Sequence, residues 1–200
     1  MIVPLQRAQL KETSEALSRA FHDDPLQQYV LPDNQDRRRL SPLHFQPILE
    51  YGLQFGEVLV TDDSVKGAAV WLPPGSTEVT EDRAASTGLD RVAETIGEAA
   101  AARFFSTLEY LDPFHVSDAP EPHWYTMVVG VDPGAQGQGL GRALLQPVLD
   151  RARNSGHPCY LETAQPENVP FYQHLGFRLL RDLVDPTSSL RLWTFRWDAA

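Results

Sequence analysis

The sequence has little cysteine, no long apolar run and a shortage of positive charge. Its single cysteine, Cys159, excludes an internal disulfide. No apolar run approaches the roughly 20 residues that a helix needs to cross a bilayer. The amino-terminal residues lack a charged segment followed by an apolar stretch, which is the pattern of a secretory signal. We therefore expect a cytoplasmic protein that makes no membrane contact.

The excess of negative charge indicates which classes of partner the protein can bind. Acidic residues number 27 against 17 basic ones, and the formal net charge is -10. Such a surface repels phosphate backbones, so nucleic acid is not an expected partner. It suits a cationic small molecule, although a net charge of this size also simply keeps a protein in solution. The six histidines follow no metal-ligand spacing, so no metal site is predicted.

The pattern of apolar residues predicts a mixed fold, and 200 residues fit a single domain. Helical spacing predicts helices at 8–21, 37–55, 81–111 (one or two, split near Gly88 or Gly97), 139–153 and 169–175. Short apolar runs predict strands at 2–6, 58–60, 67–72, 124–131, 159–163, 177–180 and 190–197, with a turn at Asp62, Asp63 and Ser64. Breaks are expected at Pro25, Pro42, Pro47 and Pro113. This order predicts an α/β or α+β domain.

A glycine-rich segment, residues 131–142, joins a predicted strand to a predicted helix. Glycines let the backbone approach a ligand closely, and the unpaired amides at a helix start attract phosphate. Arg142 adds a positive side chain. A phosphate-binding turn is therefore predicted, with an ordinary tight turn as the alternative.

Two other phosphate motifs fail in this segment. A Walker A loop would need lysine after Gly139, where Leu140 stands. The dinucleotide fingerprint would need glycine where Arg142 stands. The pattern that remains is Gln136, Gly139 and Gly141, directly after the end of a strand.

These residues resemble the GNAT superfamily, the Gcn5-related N-acetyltransferases. The signature residues are Val131, Pro133, Gln136, Gly137, Gly139 and Gly141. A second family segment follows at 161–163 and 168–177, so the resemblance covers about residues 124–180. The sequence further resembles the puromycin N-acetyltransferase subgroup in four stretches, at 21–33, 56–63, 69–71 and 121–124. Asp24 stands where that subgroup has an aromatic residue, so the likeness does not extend to puromycin as the acceptor.

The resemblance implies a central mixed, mostly antiparallel, twisted sheet flanked by helices, with strands that splay apart at the cofactor site. It implies acetyl-CoA as cosubstrate, bound by residues 121–200, whereas residues 1–120 form the acceptor side. The pantetheine arm is expected on the backbone of Val129 and Val131. The pyrophosphate is expected on the turn, and the residues assigned to cofactor binding there are Gln136, Gly137, Gln138, Gly139, Gly141 and Arg142.

Two residues are candidates for the chemistry of acetyl transfer. Glu162 lies on an apolar strand, where burial would raise its pKa toward that of a general base acting through water. The alternative is a structural carboxylate or one that only binds the cationic amine. Tyr172 can protonate a leaving thiolate, and its alternative is a packed aromatic. Asn168 is either a pantetheine ligand or a helix cap.

The acceptor predicted by these features is a primary amine on a small molecule. Acetylation of a protein or peptide amine, and a non-catalytic acyl-CoA-binding module, stay as alternatives. Asp24 is read either as a ligand of the cation or as a solvated loop carboxylate. The resemblance also allows a homodimer. Candidate lining residues of an acceptor pocket, each also readable as core, are Trp71, Phe104, Phe105, Trp124 and Tyr125.

Overall fold

The computed structural model describes residues 1–62 and 64–199, so Asp63 of the predicted turn lies outside the described residues. Its α-helices are α1 (Leu10–Ala20), α2 (Pro25–Val30), α3 (Asn34–Phe55), α4 (Glu81–Thr87), α5 (Val92–Ile96), α6 (Glu98–Asp118), α7 (Leu140–Ser155) and α8 (Asn168–His174). Its strands are β1 (Ile2–Pro4), β2 (Glu57–Thr61), β3 (Gly67–Leu72), β4 (Trp124–Val131), β5 (Cys159–Thr163), β6 (Arg178–Val184) and β7 (Arg191–Trp197). None of the described helices is both long and apolar enough to cross a membrane.

The seven strands that the structure describes form one sheet in the order β1-β2-β3-β4-β5-β7-β6. Neighbouring strands are antiparallel except β4 and β5, which are parallel. The predicted mixed, mostly antiparallel sheet flanked by helices is thus confirmed. Within the described residues, β4 and β5 pair only from Trp124 to Cys159 and from Tyr125 to Tyr160. Their pairing ends early, as expected for strands that splay apart.

Two hydrophobic clusters cover the two faces of the sheet, and β3 contributes to both. Ala68, Val70 and Leu72 belong to the cluster that includes α1 and α3, whereas Ala69 and Trp71 belong to the cluster that includes α7. Successive side chains of a strand point to opposite faces, so a strand covered on both sides is apolar throughout. This explains why β3 reads in the sequence as a continuous apolar run.

The expected effect of the internal prolines is wrong. Helix α3 continues through Pro42 and Pro47, and α6 passes Pro113 and ends only at Asp118. A proline inside a helix removes one backbone hydrogen bond. Burial of neighbouring apolar side chains of α3, such as Phe45 and Leu49, keeps the helix in place, because tertiary packing contributes more to helix stability than local propensity.

The break predicted at Pro25 is instead the start of α2. Asp24 is the N-cap residue, and its Oδ1 accepts hydrogen bonds from the amides of Leu26 at 2.9 Å and Gln27 at 3.3 Å. Pro25 occupies the first helical position, where no amide hydrogen is required. A short helix therefore stands where the Asp-Pro pair had suggested only a turn. Its N-cap residue, Asp24, lines both of the cavities described below.

The helical region predicted at 81–111 is divided at both candidate glycines. Gly88 and Gly97 have φ values of 78° and 89°, which end α4 and α5 respectively. Helix α6 then follows and places its last turns beside β4 and β5.

Candidate active site

Two adjoining cavities lie on either side of Tyr172. One, of about 400 Å³, contains Glu162 and is called here the apolar cavity. The other, of about 680 Å³, follows the glycine-rich segment and is called the turn cavity. The residues that line both are Phe21, Asp24, Val129, Asn168 and Tyr172. Molecules bound in the two cavities would therefore meet beside the Tyr172 side chain.

The turn between β4 and α7 is held in shape by its own side chains. Gln136 Nε2 donates to the Val131 carbonyl at 3.1 Å, and the Asp132 carboxylate accepts from the Gly134 amide at 3.1 Å. Asp132 also pairs with Arg19 of α1 at 2.5 Å. The hydrogen bond from Arg19 lowers the pKa of Asp132, so its carboxylate stays charged and ties the turn to α1.

The glycines of this turn serve two different purposes. Gly137 and Gly139 have φ values of 75° and 80°, a conformation that residues with a Cβ adopt at a cost. A Cβ at Gly141 would lie 3.1 Å from Phe171 Cζ, so this glycine allows α7 to approach α8 closely. Helix α7 begins at Leu140, and its first residues line the turn cavity, where unpaired amides can meet an anion.

Nearly all residues predicted to bind the cofactor are brought together along the turn cavity. Those that line it are Val129, Val131, Gln136, Gly137, Gly139, Gly141, Arg142 and Asn168. Gln138 lies exposed in the same turn and is not among the lining residues. Arg142 is exposed and forms no ion pair within residues 1–62 and 64–199, so its guanidinium is available to an anionic ligand.

Strand β4 presents an open backbone edge beside this cavity. Val129 and Val131 pair with β3, but among the described residues pairing with β5 ends at Tyr125. The register against β3 also shifts at Met127, which is an extra residue and forms a β-bulge. An extended ligand can pair with such an edge in the manner of an added strand.

Glu162 is a buried carboxyl on the wall of the apolar cavity. Its side chain is 11% exposed. Burial raises its pKa from 4.5 to about 8, and hydrogen bonding from Tyr125 partly opposes this rise. The burial expected from its place on an apolar strand is confirmed, whereas its catalytic role stays a prediction. A carboxyl with this pKa can exchange a proton near neutral pH.

Of two histidines that follow no pattern in the sequence, His115 lies near Glu162 and His123 contacts His115. His115 Nδ1, from α6, is 3.8 Å from Glu162 Oε1, and His115 Nε2 is 2.8 Å from Nε2 of His123. The His115 ring stacks on Tyr160 with 4.3 Å between ring centroids. Helix α6 and the start of β4 come together only in the folded chain, so no local pattern signals this group. Among the described residues, no cluster of histidine, cysteine and carboxylate side chains is arranged to hold a metal.

Tyr172 lies at the junction of the cavities and is 3% exposed. Its ring packs against Phe177 and Phe195, so the packed-aromatic interpretation describes part of its environment. Burial, together with the nearby Asp24 carboxylate, raises the pKa of Tyr172 above its ordinary value of 10. The phenol therefore stays protonated at neutral pH and can act as a donor.

Asp24 is not a solvated loop carboxylate, because it caps α2 and lines both cavities. Burial raises its pKa to about 6, although the backbone hydrogen bonds from Gln27 and Leu26 oppose the rise. Asn168 is also not the helix cap, which is Glu167. Its Nδ2 donates to Thr163 Oγ1 at 3.2 Å, and it borders both cavities.

The wall of the apolar cavity consists mainly of aromatic and aliphatic side chains. Phe104, Phe105 and Tyr125 line it, whereas Trp71 and Trp124 pack in the cluster that includes α7, as the core alternative predicts. Among the described residues, no lysine or arginine lines this cavity. Its carboxyl and imidazole side chains are those of Asp24, His44 and Glu162. The cavity thus combines an apolar body with carboxyls.

The comparisons with known proteins all find acetyltransferases. Residues 93–177 match the model of the Acetyltransferase (GNAT) family. An uncharacterised N-acetyltransferase of Schizosaccharomyces pombe is 29% identical over 175 residues, which cover 84% of this chain and 70% of that protein. The mycothiol acetyltransferase of Thermobifida fusca is 40% identical over 91 residues, but these cover 44% of this chain and only 28% of that enzyme.

The fold is shared with solved acetyltransferase structures. One from Corynebacterium glutamicum, described as histone acetyltransferase HPA2 and related acetyltransferase, has a TM-score of 0.67 at 23% identity. The match covers 100% of this chain and 96% of that one. A sequence identity of 23% indicates a shared fold but does not identify the acceptor substrate. The family model over residues 93–177, the relatives and the sheet topology all show that this chain resembles the GNAT acetyltransferases.

Proposed function

We propose that the protein transfers the acetyl group of acetyl-CoA to a primary amine of a small molecule. The observation that carries this proposal is the meeting of two cavities at Tyr172, with Glu162 in one and the glycine turn in the other. A transferase for two substrates needs two binding spaces that share one reacting point. A module that only bound acyl-CoA would have no need for a second cavity with a buried carboxyl.

The turn cavity suits the coenzyme. The pyrophosphate would accept hydrogen bonds from amides at the start of α7 and meet Arg142, since a helix start attracts anions. The pantetheine would lie along the open edge of β4 at Val129 and Val131. Asn168, which borders both cavities, would contact the arm near its thioester end.

The two candidate catalytic groups divide the proton transfers. Glu162, through a water molecule, would take a proton from the acceptor ammonium, because its pKa of about 8 lies close to the working pH. Tyr172 would give a proton to the departing thiolate, because its raised pKa keeps the phenol protonated. Asp24 would hold the ammonium electrostatically beside the junction.

The lining of the apolar cavity favours an amine with an apolar body. Aromatic and aliphatic walls stabilise such a body by excluding water, and the carboxyls suit its single cationic end. A polyamine would place further charges against apolar walls at a desolvation cost. The resemblance to the puromycin N-acetyltransferase subgroup and the match to mycothiol acetyltransferase both support a small-molecule acceptor over a protein one.

The test is release of free thiol from acetyl-CoA in the presence of a panel of amines. The panel contains a phenylalkylamine, puromycin, a polyamine and a short peptide. We expect turnover with the phenylalkylamine, and a loss of kcat of about 100-fold or more in Glu162→Gln and Tyr172→Phe. Acetyl-CoA affinity, measured by calorimetry, should change little in either variant.

The outcomes separate the alternatives. Acetyl-CoA binding without thiol release for any amine would establish a non-catalytic module. Preference for the peptide would point to acetylation of protein amines. Unchanged turnover in both variants would overturn the assigned chemistry while leaving the transferase activity.

A further inference from the structure

Two buried polar side chains in the wall of the apolar cavity form no hydrogen bond. They are Gln27 of α2 and His44 of α3, which are 4% and 1% exposed. Gln27 Oε1 and His44 Nδ1 are enclosed, and neither side chain has a hydrogen-bond partner within residues 1–62 and 64–199. Buried polar groups are almost always paired, because an unpaired one has lost its hydrogen bonds to water. Two unpaired groups in one cavity wall therefore call for a partner that comes from outside the chain.

The surrounding residues hold both groups in the wall. The His44 ring packs edge-on against Phe104, which lines the same cavity, with 4.6 Å between ring centroids. The backbone amide of Gln27 donates to Asp24 Oδ1 at 3.3 Å, which fixes the first turn of α2. Since Gln27 Oε1 and His44 Nδ1 are enclosed, the Nε2 atom of each side chain is the polar atom left to meet a ligand.

The charges of the wall indicate which kind of ligand group can fill this need. Burial alone lowers the pKa of His44 to about 4, so its ring is neutral at neutral pH. Among the described residues, no lysine or arginine lines the cavity, so a ligand carboxylate would stay unpaired. A neutral imidazole and an amide both suit an uncharged partner. A hydroxyl fits best, because it donates and accepts and can rotate to suit either side chain.

We propose that Gln27 and His44 bind a hydroxyl group on the apolar body of the acceptor, so that the protein selects hydroxylated aromatic amines over their plain counterparts. This inference rests on the proposed function, in which the acceptor occupies the apolar cavity. An amine without the hydroxyl would leave both polar atoms buried and unpaired, and that loss is the source of the selection. The two residues thus set specificity, whereas the chemistry stays with the groups at the junction of the cavities.

The test compares amines that differ only in one ring substituent. They are phenethylamine, its meta- and para-hydroxyl derivatives and the matching methyl derivatives, since a methyl group has the size of a hydroxyl but forms no hydrogen bond. Thiol release from acetyl-CoA is followed with the full chain. We expect kcat/KM to be about 10-fold higher for a hydroxyl derivative than for the methyl derivative with the same substitution.

The variants remove one polar group at a time. His44→Phe keeps a ring against Phe104 without its nitrogens, and Gln27→Leu keeps the branching of the side chain without its amide. In each, the ratio of kcat/KM between hydroxyl and methyl derivatives should fall toward one. The ratio compares two substrates on the same folded protein, so a general loss of packing cancels from it. The matched control is Ser41→Ala, which removes another enclosed hydroxyl from α3 outside both cavities and should keep the wild-type ratio.

Calorimetry of the same amines with the protein bound to coenzyme A measures recognition without turnover. A ratio of one in a wild type that turns over every amine would overturn this inference and leave the proposed function in place. A ratio that persists in both His44→Phe and Gln27→Leu would overturn it too. If no amine releases thiol, but the hydroxyl derivatives bind about 10-fold tighter and both variants lose this gain, the proposed function fails and the hydroxyl site stands. Neither binding nor turnover of any amine would overturn both.

Discussion

At the scale of single residues, burial is the main cause of the shifted pKa values of the two carboxyls in the apolar cavity. Glu162 and Asp24 both have pKa values raised by burial, to about 8 and about 6, but they differ in surroundings. As a helix cap, Asp24 accepts hydrogen bonds from two backbone amides, and these hydrogen bonds favour its charged form. Near neutral pH, Asp24 is therefore mainly a fixed negative charge, whereas Glu162 can give and take a proton.

The first prediction concerns the pH dependence of catalysis. As the proposed base, Glu162 must be ionised, so kcat should rise with pH and level off above about 8, following its raised pKa. The midpoint should stay in place when the acceptor is replaced by an amine of lower pKa, because it belongs to the enzyme. A midpoint that moves with the amine would contradict this assignment. Glu162→Gln should lack the rise.

The second prediction concerns Asp24→Asn. Asparagine caps a helix as well as aspartate does, so α2 should persist while the charge is lost. We expect kcat/KM for the amine to fall by about 10-fold, with acetyl-CoA affinity nearly unchanged, in steady-state kinetics and calorimetry. The matched control is Asp33→Asn, which alters the equivalent cap of α3 outside both cavities. An equal effect of both substitutions would rule out a special role for the Asp24 charge.

At the scale of elements, the junction of β4 with α7 matters most. The backbone at Gly137 and Gly139 is left-handed, and α7 starts directly after it, so the first residues of the helix line the turn cavity. The bulge at Met127 and the early end of pairing with β5 leave the same strand with an open edge. One strand and its following turn therefore provide most of the proposed coenzyme contacts.

The third prediction separates backbone strain from binding at this junction. Gly139 and Gly75 both have a φ of 80°, and an added Cβ at either meets nothing within 4 Å. Alanine at each should cost about 1–2 kcal/mol of unfolding free energy, measured by denaturant titration. Only Gly139→Ala should also weaken acetyl-CoA binding, by about 10-fold, since Gly75 lies outside both cavities. Equal acetyl-CoA affinity in the two variants would argue against the coenzyme site.

At the scale of the whole molecule, the buried ionisable groups limit the pH range of stability. The raised pKa of Glu162 contributes stability that is fully present below its ordinary value of 4.5 and is lost as pH rises through about 8. Burial lowers the pKa of both His44 and His115 to about 4, so their contribution is present above 6.5 and is lost as pH falls through 4. Glu162 and the buried histidines thus weaken the fold at opposite ends of the pH scale.

The fourth prediction follows from the sign of the Glu162 shift. Glu162→Gln removes a charge that must form in a buried site at high pH. The difference in unfolding free energy between the variant and the wild type should therefore shift in favour of the variant by on the order of 2 kcal/mol between pH 5 and pH 9. In a protein of this size such a change corresponds to roughly 4 to 8 °C in Tm. Glu109→Gln, at an exposed position of α6, should show no such pH-dependent gain. Parallel Tm curves for wild type and Glu162→Gln would contradict the prediction.

The sequence by itself determined the fold class, the bounds of β3, β4 and β5, and the segment proposed to bind the coenzyme. Those features are local, since alternation, apolar runs and glycines at fixed spacing act over a few residues. It misjudged Pro42, Pro47 and Pro113, because burial of neighbouring side chains outweighs the lost hydrogen bond. The start of α2 at Pro25 was missed because an Asp-Pro pair begins helices as well as turns.

Only the tertiary structure decided which side chains surround Glu162. His115, His123 and Glu162 lie on α6, before β4 and on β5, and Asp24 approaches Tyr172 from the other end of the chain. Such contacts join distant segments and leave no periodic trace in the sequence. The same is true of burial, which sets the acidity of these groups. The sequence thus supplied the proposed base and acid, whereas packing created the two cavities, the shifts in pKa and the histidine pair.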